Sequence, residues 1–219
     1  MKRYKIIAPR PRIPSEYQEV EYIESSGTQY IDTGFYPNGN TKFSVQFENL
    51  AMSNGTASVL GAWDETTNAF LVTCGSSALY VRCGGSDNFL FAKASGIMRV
   101  SCELDTAVVN GSSITQAETS SDTDISSSIL VFGRNNEGVP EVLGSNRIWW
   151  LKIWNGAEIM RDFIPCYRKA DNEVGLYDLI TKQFYSSQGA DNFIKGKDVL
   201  NLTKYDIYAG DRRAIALGD

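Results

Sequence analysis

Alternation of apolar and polar positions is the dominant pattern of this chain. Between residues 148 and 154, Trp149, Leu151 and Ile153 alternate with Trp150, Lys152 and Trp154. A period of two places these sets on opposite faces of a β-strand. The first set is wholly apolar and is expected to face a core. The second combines two indoles with a lysine and is expected to meet water or a ligand. Asn155-Gly156 then supplies a tight hairpin turn, a return strand covers 159–164, and Pro165 is expected to stop it. Residues 42–48 alternate as cleanly, with Phe43, Val45 and Phe47 directed inward. An opening strand at 18–24 sets Val20 and Tyr22 against Glu19, Glu21 and Ile23, its acids forming a solvated face.

The other elements follow the same logic. Strands are predicted at 28–33, 58–63, 69–74, 79–83, 88–92 and 97–104. Strands at 106–109 and 112–115 flank Asn110-Gly111, the signature of a type I′ hairpin. A strand at 129–133 follows a small, polar stretch, 117–128, that reads as an exposed loop or weak edge strand. Residues 135–144 read as a loop. Two short strands, near 174–179 and 183–187, are separated by a polar turn at Thr181-Lys182. Long helical periodicity is missing, although 211–217 has the spacing of two helical turns. The pattern predicts an all-β sandwich or barrel, and 219 residues fit one such domain.

Charge changes this picture at the amino terminus. Lys2, Arg3, Lys5, Arg10 and Arg12 give the first twelve residues +5, whereas the whole chain is −5. The remainder is therefore −10, which argues against a broad nucleic-acid-binding face. Pro9, Pro11 and Pro14 favour an extended arm able to dock on acidic groups of a neighbouring subunit. No apolar run reaches the length of a membrane span, and the basic start lacks the apolar stretch of a secretory signal. The expected product is made in the cytoplasm, without membrane insertion.

Two blocks carry a family resemblance. One is Pro14-Ser-Glu-Tyr-Gln-Glu-Val-Glu-Tyr-Ile-Glu-Ser-Ser-Gly-Thr-Gln-Tyr-Ile-Asp-Thr-Gly. The other joins Ile153-Trp-Asn-Gly to Met160-Arg-Asp-Phe-Ile-Pro-Cys-Tyr-Arg, Asn172-Glu-Val-Gly-Leu-Tyr-Asp and Phe184-Tyr. They resemble the opening and closing segments of laminin-G-like, concanavalin A-like jelly-roll domains of bacteriophage structural proteins and gut-bacterial surface proteins. The resemblance implies an antiparallel two-sheet jelly-roll sandwich over 14–197, with an extended arm at 1–13 and a short appendage at 198–219. It further implies a virion structural protein, in a head decoration, fibre or tail, carrying a lectin-like domain for host glycans. Its partners would be other virion proteins and further copies of itself. The alternative is a carbohydrate-binding or adhesion protein of a bacterial cell surface.

The residues restrict the chemistry. The chain has no histidine, so Ser-His-Asp, Cys-His and His-metal arrangements are excluded. The paired acids Glu19/Glu21 and Asp122/Asp124 lie outside any central strand, where glycosidases of this fold usually carry theirs. An enzyme is not expected. Cys74, Cys83, Cys102 and Cys166 follow no metal-ligand spacing and are expected as buried free thiols, with Cys74 opposite Leu79. No cofactor is implied. Calcium accompanies laminin-G-like domains, and the 64–68 loop has suitable oxygens, but no motif fixes a site there. The candidate glycan platform is Trp150 and Trp154 beside Lys152, rimmed by Trp63 and Asp64, because indoles stack on sugar C–H faces while charged groups take the hydroxyls.

Overall fold

The computed structural model describes residues 12–50, 56–64, 69–84, 88–93, 95–103, 105–116 and 124–199. Arm residues Lys2, Arg3, Lys5 and Arg10, the 65–68 part of the loop with calcium-suited oxygens, and the appendage from residue 200 lie outside them. In chain order the strands begin with β1 (Tyr17–Glu19), β2 (Ile23–Glu24), β3 (Ile31–Asp32), β4 (Thr41–Asn49), β5 (Ala57–Trp63) and β6 (Ala69–Cys74). There follow β7 (Ala78–Cys83), β8 (Phe89–Ala92), β9 (Ile97–Glu103), β10 (Thr106–Val109), β11 (Ser112–Thr115), β12 (Leu130–Val131) and β13 (Arg134–Asn136). The last are β14 (Val139–Glu141), β15 (Asn146–Asn155), β16 (Glu158–Arg168), β17 (Glu173–Asp178), β18 (Gln183–Ser186) and β19 (Ile194–Lys195).

These strands form two sheets. The first runs β11-β10-β9-β4-β15-β16-β17-β18, with β1 on β16 and β2 between β15 and β19. The second runs β14-β13-β5-β6-β7-β8, with β12 linking β5 to β3. All pairings are antiparallel except β13 with β5, where Asn135 and Asn136 lie beside Ala62 and Trp63. The inner faces share one apolar core that holds Phe43, Val45, Phe47, Leu151 and Ile153 from the first sheet and Leu60, Phe70, Val72 and Val81 from the second. The architecture is the expected all-β two-sheet sandwich.

Three departures from the expected pattern have physical causes. The register of β15 against β4 shifts between Ile148 and Trp150, a β-bulge at Trp149. The extra residue resets the alternation, so Ile148 takes the core position and Trp149 stays half-buried on the outside against Tyr22, ring centroids 5.4 Å apart. Pro165 does not stop its strand. The Asp162 carbonyl accepts from Leu179 N–H on the β17 side, and the Pro165 carbonyl accepts from Val20 N–H on the opposite side. The ring nitrogen of Pro165 thus points away from β17, to the side where its carbonyl meets Val20 at the edge of the β1 pairing. The β16–β17 ladder keeps its bonds, and the proline forgoes only one donor at the end of β1. Finally, 134–141 is a hairpin rather than a loop, turning through Glu137 and Gly138 at φ of 49° and 89°. The predicted Asn110-Gly111 turn has φ of 49° and 87°, the I′ geometry.

The opening strand is broken rather than continuous. Glu19 is buried in an ion pair with Arg12 instead of facing solvent. Within the stretch read as exposed, Ile125, Ser127 and Ser128 are buried. A second, smaller core lies on the other face of β16 and β17, where Ile13 packs with Ile164, Cys166 and Tyr177 beneath Tyr17 and Phe184. The described end of the predicted arm, Arg12-Ile13, is therefore packed against the body.

One polar link joins the two sheets. Asn146 of β15 donates to the Ser58 carbonyl of β5 at 3.0 Å and accepts from Asn49 of β4 at 3.0 Å. Gly144 makes room for it, since a Cβ there would come within 2.2 Å of Asn146 Nδ2 and 2.3 Å of the Ser58 oxygen. Asn146→Ala leaves a buried donor and a buried acceptor unpaired, and is expected to cost about 2–4 kcal/mol in urea unfolding with the m-value unchanged. A loss below about 0.5 kcal/mol would show that the link is not structural.

All four cysteines are free and buried, and the β6–β7 register sets Cys74 opposite Leu79. Burial pushes the Cys74 thiol from 9.0 up to about 11 and the Cys166 thiol up to about 12. Burial also raises Cys102, and the neighbouring Cys83 thiol adds to the effect. Unfolded thiols ionise near pH 9, before the folded ones do. Their contribution to stability is therefore complete below pH 9 and is lost as pH rises from 9 toward 11–12. Stability should fall in that window by about 1.4 kcal/mol per pH unit for each such thiol. Urea midpoints measured from pH 8 to 10.5 should decline less steeply in Cys166→Ala than in the parent. Equal slopes would contradict the assignment.

Candidate functional site

The outward side chains of the first sheet form a groove across β9, β4, β15 and β16. Because Phe43, Val45 and Phe47 of β4 face the core, Lys42, Ser44 and Gln46 must face outward. By the same rule Trp150, Lys152 and Trp154 of β15 face outward, as expected. Register then sets Lys42 beside Trp154 and Glu103, and Lys152 between Ser44 and Asp162.

The groove has two connected parts. The larger, 690 Å³, is lined by Lys42, Ser44, Ser101, Glu103, Thr106 and Trp154 among others. The smaller, 290 Å³, is lined by Arg12, Ser44, Trp149, Trp150, Lys152, Trp154, Asp162 and Ile164. Ser44 and Trp154 belong to both parts, so the Trp154 indole stands at their junction. Ile13 packs on Ile164 of β16, which brings Arg12 to the edge of the smaller part.

Polar contacts hold these side chains in place. Lys152 Nζ lies 3.0 Å from Asp162 Oδ2, and Lys42 is ion-paired with Glu103. Trp150 Nε1 donates to Gln46 Oε1 at 3.2 Å, and the same oxygen accepts from Arg99 at 2.8 Å. Its N–H occupied, the Trp150 ring is held in orientation as an apolar surface. Beyond it, Arg147 bonds Glu24 at 2.6 Å and Glu48 at 3.2 Å while lying 4.9 Å over the Tyr22 ring. Hydrogen bonding to Glu24 raises the Arg147 pKa further above its ordinary value, so this guanidinium remains charged.

An aromatic plate with a lysine–carboxylate pair on each side can stack a ring and meet its hydroxyls with both donors and acceptors. Among the described residues, no group of histidine, cysteine, aspartate and glutamate side chains is arranged to hold a metal ion.

Trp63 and Asp64 lie elsewhere. Trp63 ends β5 in the second sheet, with Arg134 and Arg82 at 4.6 Å and 5.1 Å from its ring centroid, and Asp64 follows it. Neither lines the groove. Arg12, placed by sequence in an assembly arm, bonds Glu19 and lines the groove. Sequence reasoning missed Lys42, Ser44, Glu103 and Asp162. The alternation of β4 and β9 could have shown that the first three face outward with their neighbours, but not that β4 and β9 lie beside β15.

No protein-family model matches the chain, and no curated protein matches it. Solved structures do match in fold. A proposed carbohydrate-binding protein of Bacteroides ovatus aligns with a TM-score of 0.55 at 12% identity, over 84% of this chain and 62% of that one. The CBM40 domain of the Ruminococcus gnavus IT-sialidase bound to α2,3-sialyllactose aligns with a TM-score of 0.46 at 12% identity, over 64% of this chain and 90% of that one. At 12% identity the likeness to the Bacteroides ovatus protein is one of fold, a β-sandwich.

Proposed function

We propose that this chain is a non-catalytic carbohydrate-binding domain that holds a glycan along the outer face of its first sheet. The observation that carries the reading is Trp154, set where both parts of the groove meet, with Lys42–Glu103 on one side and Lys152–Asp162 on the other. A pyranose stacked on this indole would place its equatorial hydroxyls toward the two ion pairs. Trp149 and Trp150 would extend the apolar floor under a further unit. The fold shared with the Bacteroides ovatus protein is compatible with this reading. It also favours the bacterial cell-surface setting over the virion setting. The virion reading rests on the sequence resemblance, and most of the basic arm offered for assembly lies outside the described residues.

Screening the purified chain on a glycan array, followed by calorimetry on the best hit, tests the proposal. Trp154→Ala should weaken binding at least tenfold, or about 1.4 kcal/mol, and Trp150→Ala somewhat less. Trp63→Ala should leave affinity unchanged, because that ring lies in the other sheet. Absence of any glycan hit, or a hit indifferent to Trp154→Ala, would sink the proposal.

A further inference from the structure

A second pocket, of 240 Å³, opens on the other sheet among β3, β12 and the β13–β14 hairpin. Its chemistry differs from that of the groove. The lining includes Tyr30, Tyr36, Asp32, Ser127, Asn135 and Gln188, and none of its described lining residues is a lysine or arginine. Tyr36 is 60% exposed, so its ring stands open to solvent at the pocket.

The frame of this pocket is tied down. Asn135 donates to the Ser128 hydroxyl at 3.1 Å and accepts from Gly138 N–H at 2.9 Å. Asp32 Oδ1 accepts from Gly34 N–H at 2.9 Å, and Gln188 N–H donates to the Tyr30 carbonyl at 2.9 Å. Within this ordered frame the Ser127 side chain is 3% exposed, and its hydroxyl has no hydrogen-bond partner among the described residues. Folded proteins rarely leave a buried hydroxyl unpaired. Burial to that degree sets the hydroxyl behind the pocket wall, so the groups a ligand would meet are the Tyr30 and Tyr36 rings, Asp32 and Gln188.

We propose that this pocket is a second, independent carbohydrate site that takes a single neutral sugar unit. Two phenol rings offer stacking surface. Asp32 and Gln188 offer acceptors and donors for hydroxyl groups, and the pocket holds one ring rather than a chain. Asp32, with no cation in the lining, disfavours acidic sugars. The groove carries Arg12, Lys42 and Lys152 and lacks that bias.

Backbone-amide NMR of the whole chain, titrated with millimolar methyl β-galactoside, methyl β-glucoside and N-acetylneuraminic acid, tests this proposal. Saturable shifts at Ser127, Gln188 and Tyr36 are expected with at least one neutral glycoside and not with the acidic sugar. Tyr36→Ala, at an exposed position, should weaken them by at least about fivefold, whereas Trp154→Ala should leave them unchanged. Three results would each overturn the proposal. One is no saturable shift at those amides with either neutral glycoside, and another is the same response in Tyr36→Ala. The third is a response abolished by Trp154→Ala, which would assign all sugar binding to the groove. Binding at this pocket that survives Trp154→Ala while groove binding is lost would keep the two proposals separate.

Discussion

Strand β15 has two faces of opposite chemistry, and the sandwich and the groove both depend on keeping them apart. Ile148, Leu151 and Ile153 anchor the core, while Trp150, Lys152 and Trp154 form the middle of the outer surface. A slip of one residue against β4 would exchange these sets, burying a lysine and exposing the anchors. The bulge at Trp149 is what reconciles the strand with its neighbours. Without it, the indole would compete for the core position that Ile148 fills, and the outer face would lose the ring that packs on Tyr22.

The surroundings of β15 reinforce that choice of register. At its start, Asn146 bonds across to the second sheet and can do so only in one alignment. At its centre, Lys152 meets Asp162 directly opposite. The small core over β16 and β17 then covers apolar side chains that would otherwise lie exposed beside the groove. Specific polar contacts thus select one arrangement, and apolar burial supplies most of the stabilisation.

Much of this was legible in the sequence, to differing depths. Alternation at β4 and β15 and the Asn110-Gly111 turn are local signals, and they correctly indicated an all-β chain with Trp150, Lys152 and Trp154 outward. What alternation cannot express is which strands become neighbours. Trp63 looked like a rim for the platform because it too is an aromatic at a strand end, yet it belongs to the other sheet. Lys42 and Asp162 carry no local signal of their own; register alone brings them beside the indoles. Pro165 was misread for a related reason. A proline ends a strand only where its missing N–H is needed, and that depends on partners far away in the chain. The Ser127 pocket escaped notice because small polar residues in sequence suggest exposure, whereas here they line a buried wall.

Glu19 is also where the two ends of the described body meet. Arg12 bonds its carboxylate, and Val199 N–H bonds its backbone carbonyl, while Gln18 reaches the Val199 oxygen at 3.0 Å. The described strands thus begin and finish beside this one residue. A module with that geometry can be inserted into a surface loop of another protein with its two connections side by side. In such a fusion the groove and the Ser127 pocket would travel as one rigid unit, offered to the surroundings from a single stem.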